Sequence, residues 1–90
     1  MQGIAASFEW KPLPDLAGTG ASVAAQLGRR IFNRRMAMGI SQCELARLVD
    51  GKQASVWAME RGDVGCRVDR LILFAKALGT TPSELLEGLE

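Results

Sequence analysis

One stretch, I-S-Q-C-E-L-A-R-L-V-D-G-K-Q-A-S-V-W-A-M-E-R-G at residues 40–62, constrains the fold more than any other part of the chain. Ser41 and Glu44 have the S-x-x-E spacing of a capping box, in which the hydroxyl satisfies a free backbone N–H and the carboxylate reaches back. From that cap, Leu45, Ala46 and Val49 fall on one face of about two helical turns. Asp50-Gly51 then breaks the period, with Gly51 expected to take the backbone angles that other residues resist. A second period follows, with Val56, Met59 and Glu60 turned inward and Gly62 at the position that ends a helix. Two short helices, at about 42–49 and 53–61, joined by a tight turn are the expected product.

Ninety residues make one small domain, near the lower range at which a single core holds a fold unaided. An apolar share of 48% with 23% charged residues suits a soluble globular protein. No apolar run approaches the roughly 18–20 residues of a membrane span, and no basic segment leads into an apolar core as in a signal peptide. A cytoplasmic protein with no membrane association is the expectation. Cys43 and Cys66 form no C-x-x-C pair and the chain has no histidine, so neither a metal nor another cofactor is expected. Nor does any nucleophile with a base, Gly-rich phosphate loop or paired-carboxylate motif point to an enzyme.

Net charge is only +1, but its distribution is uneven. Residues 23–62 set Arg29, Arg30, Arg34, Arg35, Arg47, Lys52 and Arg61 against Glu44, Asp50 and Glu60, a net +4. Residues 63–90 set Arg67, Arg70 and Lys76 against Asp63, Asp69, Glu84, Glu87 and Glu90, a net −2. Positive charge is thus concentrated in the segment holding the two short helices, as on a surface that faces phosphates.

Residues 1–21, with Pro12, Pro14 and G-T-G at 18–20, read as a mostly irregular N-terminal arm. Phe8, Trp10, Leu13 and Leu16 give that arm more apolar bulk than a solvated tail needs. It is either a free terminus or a segment that docks on this domain, on a second copy or on another protein. Residues 22–90 form the domain proper. Ser22 caps a first helix that runs to about Met38 and stops at Gly39, with Leu27 and Ile31, preceded by Val23 and Ala24, facing the core. Phe32 and Met36 make a second apolar stripe that wants a cover. A fourth helix, from about Val68 to Leu78, buries Leu71, Phe74, Ala75 and Leu78 at helical spacing. Thr81-Pro82-Ser83-Glu84 is a second capping box, opening a short last helix that carries Leu85, Leu86 and Leu89.

The blocks S-Q-x-E-L-A, x-Q-A-S-V, E-R-G, L-x-x-F-A-K-A-L-G and P-S-E-L-L, in this order and spacing, resemble the Cro/C1 (Xre-type) helix-turn-helix regulators. The resemblance covers residues 27–86 and implies an all-α, five-helix Cro/C1-repressor-like domain preceded by the arm. It further implies a sequence-specific DNA-binding transcriptional regulator, a repressor acting as a homodimer at a two-fold operator. The third helix would lie in the major groove, with Lys52, Gln53 and Ser55 on the base edges. Gln42, Arg34 and Arg61 would hold phosphates, joined by Arg29 and Arg30. Arg35 and Glu60 would form the structural ion pair that clamps the first helix to the third. Leu86 and Leu89 would supply the dimer contact.

Some residues depart from the family's pattern. Trp57 stands where serine is usual, Ala58 replaces a polar or basic residue, and Leu48 and Leu73 sit at positions that are usually polar. Trp57 either presses on a sugar or a thymine methyl, anchors a protein interface, or joins the core. A second function therefore stands beside the first: a helix-turn-helix fold used for protein binding. An antiactivator or antitoxin would sequester a transcription factor or toxin through Phe8, Trp10, Phe32, Met36 and Trp57.

Overall fold

In the computed structural model, residues 10–90 are described, and Phe8 therefore lies outside the described residues. Five helices follow one another with no strand among the described residues: α1 (Val23–Met38), α2 (Gln42–Leu48), α3 (Gln53–Arg61), α4 (Val68–Ala77) and α5 (Pro82–Leu86). No described helix is long and apolar enough to cross a membrane.

Local chemistry sets the helix ends. The Ser22 hydroxyl accepts the Ala25 N–H at 3.0 Å, and α1 stops at Gly39, whose φ of 71° is left-handed. The box at α2 is complete: Ser41 Oγ accepts the Glu44 N–H at 3.0 Å and Glu44 Oε1 accepts the Ser41 N–H at 2.8 Å. That backbone bond, with the Ser41 hydroxyl, holds the Glu44 carboxyl below its ordinary pKa. At α5 only half of the expected box forms. Thr81 Oγ1 accepts the Glu84 N–H at 3.1 Å, but the Glu84 carboxylate takes the Thr80 hydroxyl at 2.6 Å. Helix α4 starts without a side-chain cap at Arg67.

Two expectations need correcting. Within the α2–α3 turn the left-handed residue is Asp50, at φ 54°, not Gly51. Aspartate is among the few residues that tolerate this region, and at Gly51 a Cβ would meet only the movable end of Arg70, 2.7 Å from its Nη2. Val23, expected on the core face, is 51% exposed. At 3.6 residues per turn it stands about a quarter-turn away from the stripe that Ile31 and Arg35 centre.

The core is one cluster. Leu27 and Ile31 of α1 meet Leu45, Ala46 and Val49 around α2, Val56 and Met59 of α3, Leu71, Phe74, Ala75 and Leu78 around α4, and Leu85 of α5. Of the two leucines expected at a dimer contact, Leu89 packs against this core while Leu86 is 42% exposed. Helix α1 crosses α3 at close range, where a Cβ on Gly28 would lie 2.3 Å from the Met59 carbonyl oxygen. Gln26, fully buried, donates its amide to the carbonyls of Ala21 at 2.7 Å and Glu90 at 2.9 Å. Both ends of the domain are thereby tied to α1.

The described part of the arm docks on its own domain. Asn33 accepts the Leu13 N–H at 3.0 Å and donates to the Leu13 carbonyl at 2.9 Å, as a neighbouring strand would. Arg29 donates to the Pro14 carbonyl at 2.7 Å, and Arg30 pairs with Asp15 at 2.9 Å. The Trp10 ring meets Phe32 edge-on, with centroids 6.4 Å apart. Hydrogen bonding to the Arg30 guanidinium holds the Asp15 carboxyl below its ordinary value. A depressed folded-state pKa means that this contact contributes fully above about pH 4 and is lost as pH falls through the folded value. In a Trp57→Phe background, Trp10 emission is expected to change on acidification below about pH 4. Asp15→Asn should remove that step, and its persistence would show that another group drives it.

Candidate nucleic-acid interface

From the buried ion pair a chain of hydrogen bonds runs to the surface of α3. Arg35 Nε donates to Glu60 Oε2 at 2.6 Å and Nη2 to Oε1 at 3.1 Å, with the two side chains only 8% and 4% exposed. The remaining Arg35 nitrogen, Nη1, donates to the Ile40 carbonyl at 2.9 Å. Gln42 Nε2 donates to Glu60 Oε1 at 2.9 Å, and Gln53 Nε2 donates to Gln42 Oε1 at 2.6 Å.

The polarity of this chain is dictated by its buried end. An ionised carboxylate only accepts, so Gln42 must turn its NH₂ toward Glu60 and its oxygen toward Gln53. Gln53 must then spend one N–H on Gln42. Its Oε1 and second N–H remain for solvent or a ligand, one acceptor and one donor side by side. That pair is the complement of adenine's N6 donor and N7 acceptor in the major groove. The resemblance puts Gln42 on a phosphate; the structure instead engages its amide internally and makes it the link that orients Gln53.

The outward surface of α3 has three parts. Gln53, Trp57 and Arg61, four residues apart, form one stripe. Ala54 and Ala58 form a flat middle that lets the helix approach another surface closely. Ser55 lies on the far side, at the edge of a cleft. Trp57 is 46% exposed, which removes the core role, and the Arg61 guanidinium lies 4.4 Å above its ring. Arg61 also pairs with Asp63 at 3.1 Å. Lys52, at the N-cap of α3, is exposed and makes no capping bond.

Lys52 and Arg61 stand on this surface as the sequence suggested, but the other cations around it differ from those expected. Arg29 and Arg30 are committed to the arm, as described above. Arg34 is exposed, in a groove formed by Leu13, Asn33 and Glu84, whose carboxyl is held low first by the Thr80 hydroxyl and only to a smaller degree by the Arg34 charge. The structure therefore does not bring these three to α3. Instead, Arg67 and Arg70 line a cleft of about 360 Å³ with Ala54, Ser55 and Ala58 of α3. Arg47 lines a shallower one of about 280 Å³ with Cys43, Gly51 and Gln53. Arg67 and Arg70 are hidden in the sequence because they belong to a segment of negative net charge. Their nearness to Gly62, only a short loop away along the chain, is the signal that could have found them. Cys66 lines the same cleft, and burial pushes its thiol pKa up, so it is no reactive thiolate.

Among the described residues, those singled out for protein binding do not form one surface. Trp10 and Phe32 cover each other on the arm side of α1, with Arg35 5.4 Å above the Phe32 ring. Met36 is partly buried, and Trp57 stands on α3 beneath Arg61.

A family model described as a helix-turn-helix domain matches residues 26–87. The chain belongs to the helix-turn-helix family. Its Cro/C1 form recurs in solved structures. The P22 c2 repressor in complex with a synthetic operator matches at 31% identity and a TM-score of 0.65, over 69% of this chain and 94% of that one. The restriction-modification controller protein C.AhdI from Aeromonas hydrophila matches at 32% identity and a TM-score of 0.66, over 69% of this chain and 90% of that one. Among curated sequences, an uncharacterized HTH-type transcriptional regulator of Rickettsia conorii is 33% identical over 64 residues, 71% of this chain and 51% of the relative. This helix-turn-helix chain spans about half the length of the curated relatives it matches.

Proposed function

We propose that this helix-turn-helix protein is a DNA-binding transcriptional repressor, reading a two-fold operator as a homodimer with α3 in the major groove. The observation that carries this reading is the bond chain from Arg35–Glu60 through Gln42 to Gln53. It leaves Gln53 presenting a donor and an acceptor in a fixed order, at the N-terminal end of the helix that reads bases in this fold. Lys52, one residue earlier, reaches guanine O6 or N7, and Ser55 bonds a base or a phosphate. Arg47, Arg61, Arg67 and Arg70 flank the helix and hold phosphates on either side of the groove. Trp57, flattened under Arg61, contacts sugar or a thymine methyl. That the P22 c2 repressor was crystallised on an operator supports the same docking.

The reading is tested by fluorescence anisotropy on DNA from upstream of the protein's own gene, with scrambled DNA alongside, across a salt series. Binding should prefer the upstream DNA and weaken steeply with salt as counterions are released. Gln53→Ala is expected to cost about 1–3 kcal/mol of specific binding and to leave scrambled-DNA binding unchanged. Gln42→Ala should produce a smaller loss of the same kind, because it frees Gln53 without removing it. Arg67→Ala should weaken both DNAs alike and lower the salt slope by about one. Equal affinity for both DNAs, untouched by Lys52→Ala with Gln53→Ala, would refute base reading by α3.

Protein sequestration has less support. Its expected surface is divided, and the Trp10–Phe32 contact is satisfied within the domain.

A further inference from the structure

We propose that the outward face of α4 is a contact between two copies of this chain, the helices packing antiparallel across a two-fold axis between Ile72 and Leu73. The inference deepens the homodimer reading above, and its test contains no DNA, so either can fail without the other.

Helix α4 turns Leu71, Phe74 and Ala75 inward, yet its outer face is also apolar. Val68 is 72% exposed, Ile72 48% and Leu73 39%. On a lone surface helix those positions are ordinarily polar. The face also carries two charges, Asp69 and Lys76, both exposed. They are seven residues apart, and a helix drifts only about 20° over that interval, so they stand nearly in line. The Asp69 side chain is 65% exposed and, among the described residues, is engaged only within its own turn, by the Arg70 N–H at 3.0 Å and the Arg67 guanidinium at 3.4 Å. An ion pair as exposed as that one is worth little.

This arrangement complements itself. An isologous contact sets each residue i against residue j of the other copy, and j against i. With the axis midway between Ile72 and Leu73, Asp69 falls opposite Lys76 of the second copy, and Lys76 opposite that copy's Asp69. Ile72 and Leu73 meet their counterparts in the middle, and Val68 covers the rim. The opposite charges are spaced symmetrically about the apolar centre, which an unrelated partner would not require. Ten residues of helix span only about 15 Å. The contact therefore falls in the small class, below about 1,200 Å², and association is expected to be weak in free solution.

Sedimentation velocity over a concentration series of the whole chain, without DNA, tests the proposal. The wild type should pass from monomer to dimer as concentration rises. Ile72→Glu should weaken dimerisation at least about ten-fold, since it buries two like charges at the centre. Asp69→Lys and Lys76→Glu should each weaken it by a similar factor, because each sets like charges opposite one another. An equimolar mixture of those two variants should associate again. The two substituted positions then face each other with opposite charges, and the unaltered Lys76 of one variant meets the unaltered Asp69 of the other. Circular dichroism melting of each variant shows that it is folded. A wild type that stays monomeric throughout overturns the proposal. So does a mixture no better than either folded variant alone. If Leu86→Glu dissociates the dimer and Ile72→Glu leaves it intact, the contact lies on α5 and the proposal is likewise overturned.

Discussion

Glu60→Ala is expected to cost about 3–5 kcal/mol of folding stability, the cost of leaving a buried charge without its partner. The Arg35 guanidinium, 8% exposed, would keep its bond to the Ile40 carbonyl and lose both bonds to carboxylate. In a domain of this size each kcal/mol moves Tm by about 4–8 °C, so a drop of roughly 12–40 °C should appear in a thermal melt. The double variant Arg35→Met, Glu60→Leu separates two roles of the pair. Replacing a buried ion pair by apolar residues of similar volume is often neutral or stabilising, so this variant should recover most of the lost stability. It should not recover reading. Without Glu60 nothing fixes the direction of the Gln42 amide, and Gln53 loses its imposed donor–acceptor order. The expected result is a stable protein with preference for specific DNA reduced about as far as in Gln42→Ala. If the double variant stays as unstable as Glu60→Ala, apolar packing cannot replace the pair. If it keeps full sequence preference, the chain of bonds does not orient Gln53.

Features decided by residues close in sequence are legible without coordinates. The S-x-x-E box at Ser41, the stops at Gly39 and Gly62 and the inward face of α4 all follow from neighbours within about two turns. The pair Arg35–Glu60 spans 25 residues and comes only from the resemblance; no local rule joins those positions. What escapes is mostly a matter of which surfaces meet. Summing charge by segment groups Arg29, Arg30 and Arg34 with the two short helices and leaves out Arg67 and Arg70. The fold reverses this, because the docked arm occupies the first group and the loop after α3 brings the second beside Ser55. Gln42 reads as an outward polar residue at a helix start, and its inward bond to Glu60 depends on how α2 lies across α3. Asp50 and Gly51 exchange their expected roles for a related reason. The turn needs one left-handed residue, and Asp50 supplies it, leaving Gly51 with the Arg70 guanidinium beside it.

Gly28 is the case where local propensity and tertiary contact oppose each other, and the second large effect is expected there. Alanine is the better helix former by about 1 kcal/mol, so in an isolated α1 the change Gly28→Ala would stabilise. In the fold, the new Cβ would lie 2.3 Å from the Met59 carbonyl oxygen and 2.8 Å from that of Glu60. Both obstacles are backbone atoms of α3, so no side-chain rotation relieves them and the helices must separate. Overpacking costs about 1–3 kcal/mol where side chains can give, and a backbone obstacle belongs at the top of that range. The net expectation is a loss of about 2 kcal/mol, seen as a lower urea midpoint. Separation at this point also acts on the interface, since Glu60 itself forms the crossing and anchors Gln42 and Gln53. Gly65→Ala is the matched control. Nothing lies within 4 Å of a Cβ there and its φ is not left-handed, so it should be neutral or slightly stabilising. Were Gly28→Ala to raise the midpoint as Gly65→Ala can, the α1–α3 crossing would have slack, and the glycine would reflect no close approach.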